Sequence, residues 1–253
     1  NLPADRRIWQ ADSFEKDDFS RSGEIEEFQY DGDGNLTERK SNLRDNRNFS
    51  YERGDRLTKQ EKIRYVYDAA GNLIEKQKTS GESIFYRYDI DNRLTSVSSG
   101  SGGEVEFKYD AFGRRIAKIS DRGTTGFIWD GDVLLGEQSD TFCEYIFEDF
   151  VPVAKIQDFR IEHYHTDYLG TPKEVTNQSG ELVWQGDYDE YGNVTEIKSE
   201  TAQPFRFQGQ YEDAETGLFY NYFRYYDADS GRYINQDPIG LFGGDNLYAY
   251  VWN

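Results

Sequence analysis

Chemistry needs side chains brought together, and few sets in this chain could meet. Its two histidines stand as His163-Tyr164-His165, followed by Thr166-Asp167. On a strand, positions 163, 165 and 167 share a face, so two imidazoles and a carboxylate could converge on a metal ion. Such a site also needs further ligands and a supporting shell, and the chain has no other histidine. Hydrogen-bonded strand histidines are the expectation, and no metal or other cofactor is assigned. Asp31-Gly32-Asp33-Gly34-Asn35 imitates the first half of a calcium loop. The EF-hand pattern then requires a glycine and, further on, a glutamate, where this chain has Leu36 and Asn42. Asp229-Ser230-Gly231 matches the short motif of pepsin-type proteases. Those enzymes pair two carboxylates that share a proton, so a turn is expected here instead. Cys143 is the single cysteine, which excludes an intrachain disulfide framework, and its neighbours Phe142, Tyr145 and Phe147 suggest a buried strand position.

The elements that must position these residues are announced by a recurring phrase: aromatic, Asp, two residues, Gly or Asn, then an apolar residue. It reads Tyr30-Asp31 through Leu36, Tyr67-Asp68 through Leu73, Tyr88-Asp89 through Leu94, Tyr109-Asp110 through Ile116, and Tyr188-Asp189 through Val194, with Trp129-Asp130 as a degenerate copy. From Tyr67 to Tyr88 to Tyr109 the step is 21 residues each time. A fixed period in this range marks a repeat architecture. Asp suits the first position of a type I turn, and Gly at the fourth tolerates positive φ. Before each turn the residues alternate, as in Tyr65-Val66-Tyr67 and Phe107-Lys108-Tyr109, which places aromatics on one strand face. The expected fold class is all-β, a series of hairpins. Ser98-Ser99-Gly100-Ser101-Gly102-Gly103, linker-like in isolation, falls where a hairpin or inter-repeat turn belongs.

Composition agrees. The chain has 253 residues, is 36% hydrophobic and 16% aromatic, with 20 Tyr and 17 Phe. An acidic disordered chain would lack those rings, and Tyr, Phe and Thr favour pleated, half-buried surfaces. The formal net charge of −19 repels phosphate backbones, so no nucleic-acid partner is expected. No apolar run approaches the ~20 residues of a membrane span.

The last fifty residues are the most distinctive. Glu215-Thr216-Gly217-Leu218-Phe219-Tyr220-Asn221-Tyr222-Phe223-Arg224-Tyr225-Tyr226 leads to Gly231-Arg232-Tyr233-Ile234, then Gln236-Asp237-Pro238-Ile239-Gly240-Leu241 and Asn246-Leu247-Tyr248-Ala249-Tyr250. Together with the Tyr-Asp repeats and His165-Thr166-Asp167-Tyr168-Leu169-Gly170-Thr171-Pro172, this resembles the RHS/YD-repeat proteins. These are bacterial polymorphic toxins and the C components of Tc toxins, and the likeness includes their C-terminal repeat-associated core region.

That resemblance implies a β-sheet strip spiralling into a hollow cocoon that encloses a C-terminal toxin polypeptide. A strip of that kind has an inner and an outer face, neither requiring a conventional packed core. It implies two regions, a YD-repeat strip over 1–140 and the core-associated region over 141–253, with residues 1 to about 25 polar, irregular and part of an earlier repeat. It further implies that Asp237 is the first aspartate of a self-cleaving protease, with the second in a later Asp-Pro-x-Gly-Leu motif beyond Asn253. Arg232 is a candidate supporting residue, with a surface strand role as its plain alternative. A protease complete within this chain would need Asp229 or Asp245 beside Asp237, and with Asp237 alone the chain is expected to be inert. The chain reads as an internal piece of a longer protein. Its partners would be upstream repeats, the toxin passenger and a secretion apparatus, and its location secreted, cell-surface or injected. An isolated piece with cut sheet edges is expected to pair edge to edge as a homodimer. The competing function is a cell-surface adhesion or glycan-binding module, with Tyr and Trp stacking on sugars.

Overall fold

The computed structural model describes residues 6–9 (as backbone), 25–42, 44–100 and 102–250. They form an all-β protein in two compact units, one of residues 1–83 with 236–253 and one of residues 84–235. Among the described residues no helix is long and apolar enough to cross a membrane.

In the first unit β1 (Arg6–Trp9), β2 (Glu26–Tyr30), β3 (Leu36–Ser41), β4 (Arg47–Glu52), β5 (Arg56–Gln60), β6 (Ile63–Tyr67) and β7 (Leu73–Lys78) each pair antiparallel with the next. A segment expected to be irregular therefore contains a strand, since Arg6–Trp9 lies against Trp9↔Glu26 to Arg6↔Gln29. Four residues are too few for alternation to declare them, and only the partner strand defines them. The rest of that expectation, residues 1–5 and 10–24, lies outside the described residues.

The second unit holds a meander of its own, through β8 (Ser83–Tyr88), β9 (Leu94–Ser99), β10 (Glu104–Tyr109), β11 (Arg115–Ser120), β12 (Gly123–Asp130), β13 (Val133–Gln138) and β14 (Phe142–Glu148). It then runs through β15 (Val151–Gln157), β16 (Arg160–Thr166), β17 (Pro172–Asn177), β18 (Leu182–Tyr188) and β19 (Val194–Ser199). From β9 onward each strand is antiparallel to its predecessor. The glycine-rich 98–103 stretch is a hairpin turn, with Ser99 N–H donating to Gly103 O at 3.3 Å. A small separate sheet follows: β20 (Tyr211–Asp213), β21 (Leu218–Asn221), β22 (Arg224–Asp227) and β23 (Arg232–Tyr233).

One local device closes the repeat hairpins. At Asp68, the backbone N–H donates to Asn72 O (2.9 Å) and Gly71 N–H donates back to Asp68 O (3.2 Å). The Asp68 carboxylate accepts the Asn72 N–H on Oδ1 (2.8 Å) and the Asn72 side-chain amide on Oδ2 (2.9 Å). Register then slips by one, Val66↔Glu75 but Tyr67↔Leu73, leaving Ile74 as a bulge. Asn35 and Asn193 repeat the Asn72 contacts. Arg93 and Arg114 replace the amide with a guanidinium Nε at 2.7 and 2.8 Å from Asp89 and Asp110. At the bulge, Thr37, Thr58 and Thr95 each return a hydroxyl to the strand carbonyl eight residues back.

The bulge also corrects one reading of the repeats. The inward residue after the turn at Asp110 is Arg115, paired with Tyr109 as Leu73 is with Tyr67. Ile116 is the bulged residue and is exposed.

Within the second unit, one strip face carries a packed core, contrary to the expectation that neither face needs one. Phe127, Leu134, Cys143, Tyr145, Tyr164, Val175 and Trp184 from the strands enclose Phe205 and Tyr211 from the segment that follows. Phe205 meets Tyr145 edge-to-face at 4.7 Å and Phe147 at 5.2 Å, a favourable geometry for aromatic pairs.

Candidate functional site

Asp237 belongs to the first unit and Arg232 to the second. Asp237-Pro238-Ile239-Gly240 repeats the Asp-x-x-Gly turn logic, with Pro in the position where its fixed φ suits a type I turn. Gly240 N–H donates to Asp237 O at 2.9 Å, and Ile239 N–H donates to Asp237 Oδ1 at 3.0 Å. Asp237 N–H donates to Leu247 O at 2.9 Å, closing the segment on itself. The other carboxylate oxygen faces bare backbone, because a Cβ placed on Gly243 would lie 2.9 Å from Oδ2. Asp237 is half-buried, whereas Ile239, Leu241 and Phe242 beside it are exposed.

This segment is held by the turns of the repeats. Asn246 Nδ2 donates to Asn35 Oδ1 at 2.8 Å, and Tyr248 donates its hydroxyl to Gly71 O at 2.7 Å while its ring meets Tyr67 edge-on. Gly71, at φ +86°, has no room for a side chain, since a Cβ would stand 2.6 Å from Gln236 Nε2 and 2.7 Å from the Tyr248 hydroxyl. Gly54, at φ +80°, has nothing within 4 Å of the same position. Gly71→Ala is therefore expected to destabilise the protein clearly more than Gly54→Ala, because both impose the positive-φ penalty of about 1 kcal/mol and only the first displaces the 236–248 segment. Comparable losses in melting temperature for the two variants would refute that placement.

Arg232 is not a surface residue. It sits in β23 opposite Asp227, and both are buried. The two-residue strand carried no pattern from which burial could be read. Asp229-Ser230-Gly231 is a turn as expected: Ser230 and Gly231 N–H groups donate to Asp227 O, and Ser230 Oγ donates to Asp227 Oδ2 at 2.8 Å. Asp229 and Asp245 are exposed.

The histidines are exposed strand residues. The His165 Nε2 atom lies 2.9 Å from Thr176 Oγ1, and Asp167 spends its carboxylate on the N–H groups of Leu169 and Thr171. Cys143 is buried, and burial pushes its thiol above the ordinary range, which makes it a poor nucleophile.

The most heavily charged interior cluster was missed by motif reading. Arg115, 1% exposed, pairs with Asp213, 0% exposed. Its guanidinium lies 4.4 Å from the ring centres of both Phe127 and Tyr220, with Tyr211, Phe107 and Tyr225 further out. Lys118 reaches Asp213 at 3.2 Å and Glu215 at 2.8 Å. The Arg115 backbone N–H donates to the Tyr220 hydroxyl, and Trp129 Nε1 donates to Arg115 O at 2.7 Å. Burial alone would lower the Arg115 pKa, but the neighbouring Asp213 charge more than reverses this and the net shift is upward. The available signal was an arginine at the position other repeats fill with leucine. The cluster contains no nucleophile poised beside a base. It is a clamp between the strip and the β20–β23 sheet, cation–π contacts reinforcing a buried ion pair.

Comparison with known proteins sets these features in context. The model of the Teneurin YD-shell family matches residues 9–242. Double-stranded DNA deaminase toxin A of Burkholderia cenocepacia is 36% identical over 293 aligned positions, covering 99% of this chain and 20% of that protein. Toxin protein Tse5 of Pseudomonas aeruginosa is 35% identical, covering 79% of this chain and 18% of that one. The chain thus spans about a fifth of the length of these curated relatives. A crystal structure of TcdB2-TccC3 without the hypervariable C-terminal region superposes with a TM-score of 0.56 at 16% identity, covering 89% of this chain and 12% of that one. At that identity the likeness concerns the fold.

Proposed function

The chain belongs to the Teneurin YD-shell family, and from that premise we propose that it is the shell segment of an RHS-type toxin, enclosing a toxin polypeptide that follows it. The observation that carries the reading is that relatives named as toxins contain this stretch as about a fifth of a longer protein. The shell would be exported by a secretion apparatus and secreted, displayed or injected in competition between bacteria, with upstream repeats and the passenger as its partners. If the piece is separated from those repeats, its cut edges pair as a homodimer, which light scattering would detect.

In the same reading Asp237 is the first of two aspartates that release the passenger. Its Oδ1 holds the turn and its Oδ2 faces the Gly243 backbone, so the carboxylate is fixed in orientation. Arg232, buried opposite Asp227, acts as structural support. The test is the intact mass of the parent protein, wild type beside Asp237→Asn. Asparagine keeps the Oδ1 acceptor and hence the turn. The expected result is a wild type split at one downstream site, with the pieces still associated, and an unsplit variant. If both stay whole, the cleavage role of Asp237 is lost. Trp184 is fully buried, so its ring is not available to stack on a sugar.

A further inference from the structure

Within the second unit, the strand face opposite the packed core is apolar where a solvated face would be polar. Cross-strand partners share a face of a sheet, and so do residues two apart on one strand. Ile128 pairs with Gly136, Gly136 with Glu144, and Ile146 with Ala154. Ile128 and Ile146 therefore point away from their core neighbours Phe127 and Tyr145. Ile116, Leu135 and Val153 are the bulged residues of β11, β13 and β15, each exposed beside a buried residue, Arg115, Leu134 and Pro152. With Phe142, whose ring occupies the space a side chain on Gly136 would need, they form a row across β11–β15, every member 40–47% exposed. On β8–β10 the same face carries paired charges, Arg87 with Glu104 and Lys108 with Glu106, and on β16 it carries His163 and His165.

An exposed apolar row of this extent marks an interaction site, and its charge surroundings select the partner. Residues 123–154 hold seven acids and no Lys, Arg or His. Glu137 turns inward to the hydroxyls of Tyr145 and Tyr211. Asp130, Asp132, Asp140, Glu144, Glu148 and Asp149 are exposed and form no ion pair among the described residues. They flank the row on both sides, at the β12–β13 and β14–β15 turns on one and the β13–β14 turn on the other. Two copies meeting through this row would oppose carboxylate to carboxylate, and nucleic acid or anionic lipid is repelled in the same way. A basic polypeptide gains from the apolar row and the acids together. Adjacent strands lie ~4.8 Å apart, so the row is about 19 Å long, the length of a helix of about 13 residues. We propose that this face docks an amphipathic α-helix of another protein, laid across β11–β15, its apolar stripe on the row and its flanking Lys and Arg side chains on the acids. Nothing in this docking requires an enclosed passenger, so it stands apart from the shell reading.

The test uses the whole parent protein. In fluorescence anisotropy, an amphipathic leucine–lysine helix of that length should bind, and a scrambled isomer with no apolar stripe should bind several-fold more weakly. Ile128→Thr with Ile146→Thr, and separately Glu144→Lys with Glu148→Lys, should each weaken the amphipathic probe about tenfold or more. Glu104→Lys with Glu106→Lys, on the β10 part of the same face, should leave its affinity unchanged. A pair that lowers the melting temperature is replaced by its single substitutions. Equal binding of the two peptides, or an equal loss in the β10 variant, would reduce the effect to general attraction by an acidic surface and overturn the proposal. In the native host, the photo-crosslinking residue p-benzoylphenylalanine at Phe142 should join the parent to another protein, at an apolar residue flanked by Lys or Arg. Crosslinks to a second copy, to the parent's own repeats or to residues downstream of Asn253 would also overturn it, as would none at all.

Discussion

Replacing Asp213 with Ala should lower the unfolding free energy by about 3–5 kcal/mol, the usual cost of stranding one partner of a buried ion pair. The stranded group is the Arg115 guanidinium, 1% exposed and surrounded by five aromatic rings. Arg115→Met should cost a similar amount for the converse reason, leaving Asp213 with only Lys118, 3.2 Å away. The pair in combination, Arg115→Met with Asp213→Leu, should be less damaging than the sum of the two, because no unpaired charge remains inside. A coupling of roughly 2 kcal/mol is expected for residues in direct contact, though Lys118 then retains only Glu215. Urea unfolding of the four proteins measures it. Additive losses would mean that the two residues do not act as a clamp.

Alkali should unfold the protein in a narrow window that begins near pH 10. Burial, opposed by the Arg115 charge, pushes the Tyr220 hydroxyl up to about 12, and burial pushes Tyr188 to about 12. Burial also raises the hydroxyls of Tyr109, Tyr145, Tyr164, Tyr211 and Tyr225 well above the ordinary value. A tyrosine whose folded pKa is raised stays protonated in the native state after the unfolded chain has released its proton. Its stabilisation is therefore complete below the unfolded value near 10 and is lost as pH climbs toward the folded value. Each such group removes up to about 1.4 kcal/mol per pH unit, so Tyr220 alone would remove about 2 kcal/mol by pH 12. Several acting together exceed the ~5–15 kcal/mol stability of a typical domain. Tyrosinate absorbance should thus show an early exposed fraction, then a steep step coinciding with loss of the β-sheet circular dichroism. A smooth titration near pH 10 with the fold intact would contradict the burial of these hydroxyls.

The repeat hairpins were legible because their determinants are local. Asp68 fixes its turn through bonds to residues no more than four positions away, so a five-residue phrase carries the geometry. Where Arg93 and Arg114 substitute for Asn, the carboxylate partner is unchanged. Turn glycines, strand alternation and the all-β class followed from those phrases. The family was legible in the 215–250 region for a different reason, a distinctive string of residues whose physical roles could not be derived from spacing.

What the tertiary structure alone decided is every feature that joins distant segments. Arg115 and Asp213 stand 98 positions apart, and nothing in an arginine after a turn or an aspartate before a Thr-Gly announces that they share one dry site. The burial of Arg232 and the docking of Tyr248 on Gly71 belong to the same class. A turn is written by hydrogen bonds between neighbours, and the chain spells it out. Burial depends on which surface arrives from elsewhere, and that is settled only when the strands have stacked and the terminal segment has packed against them.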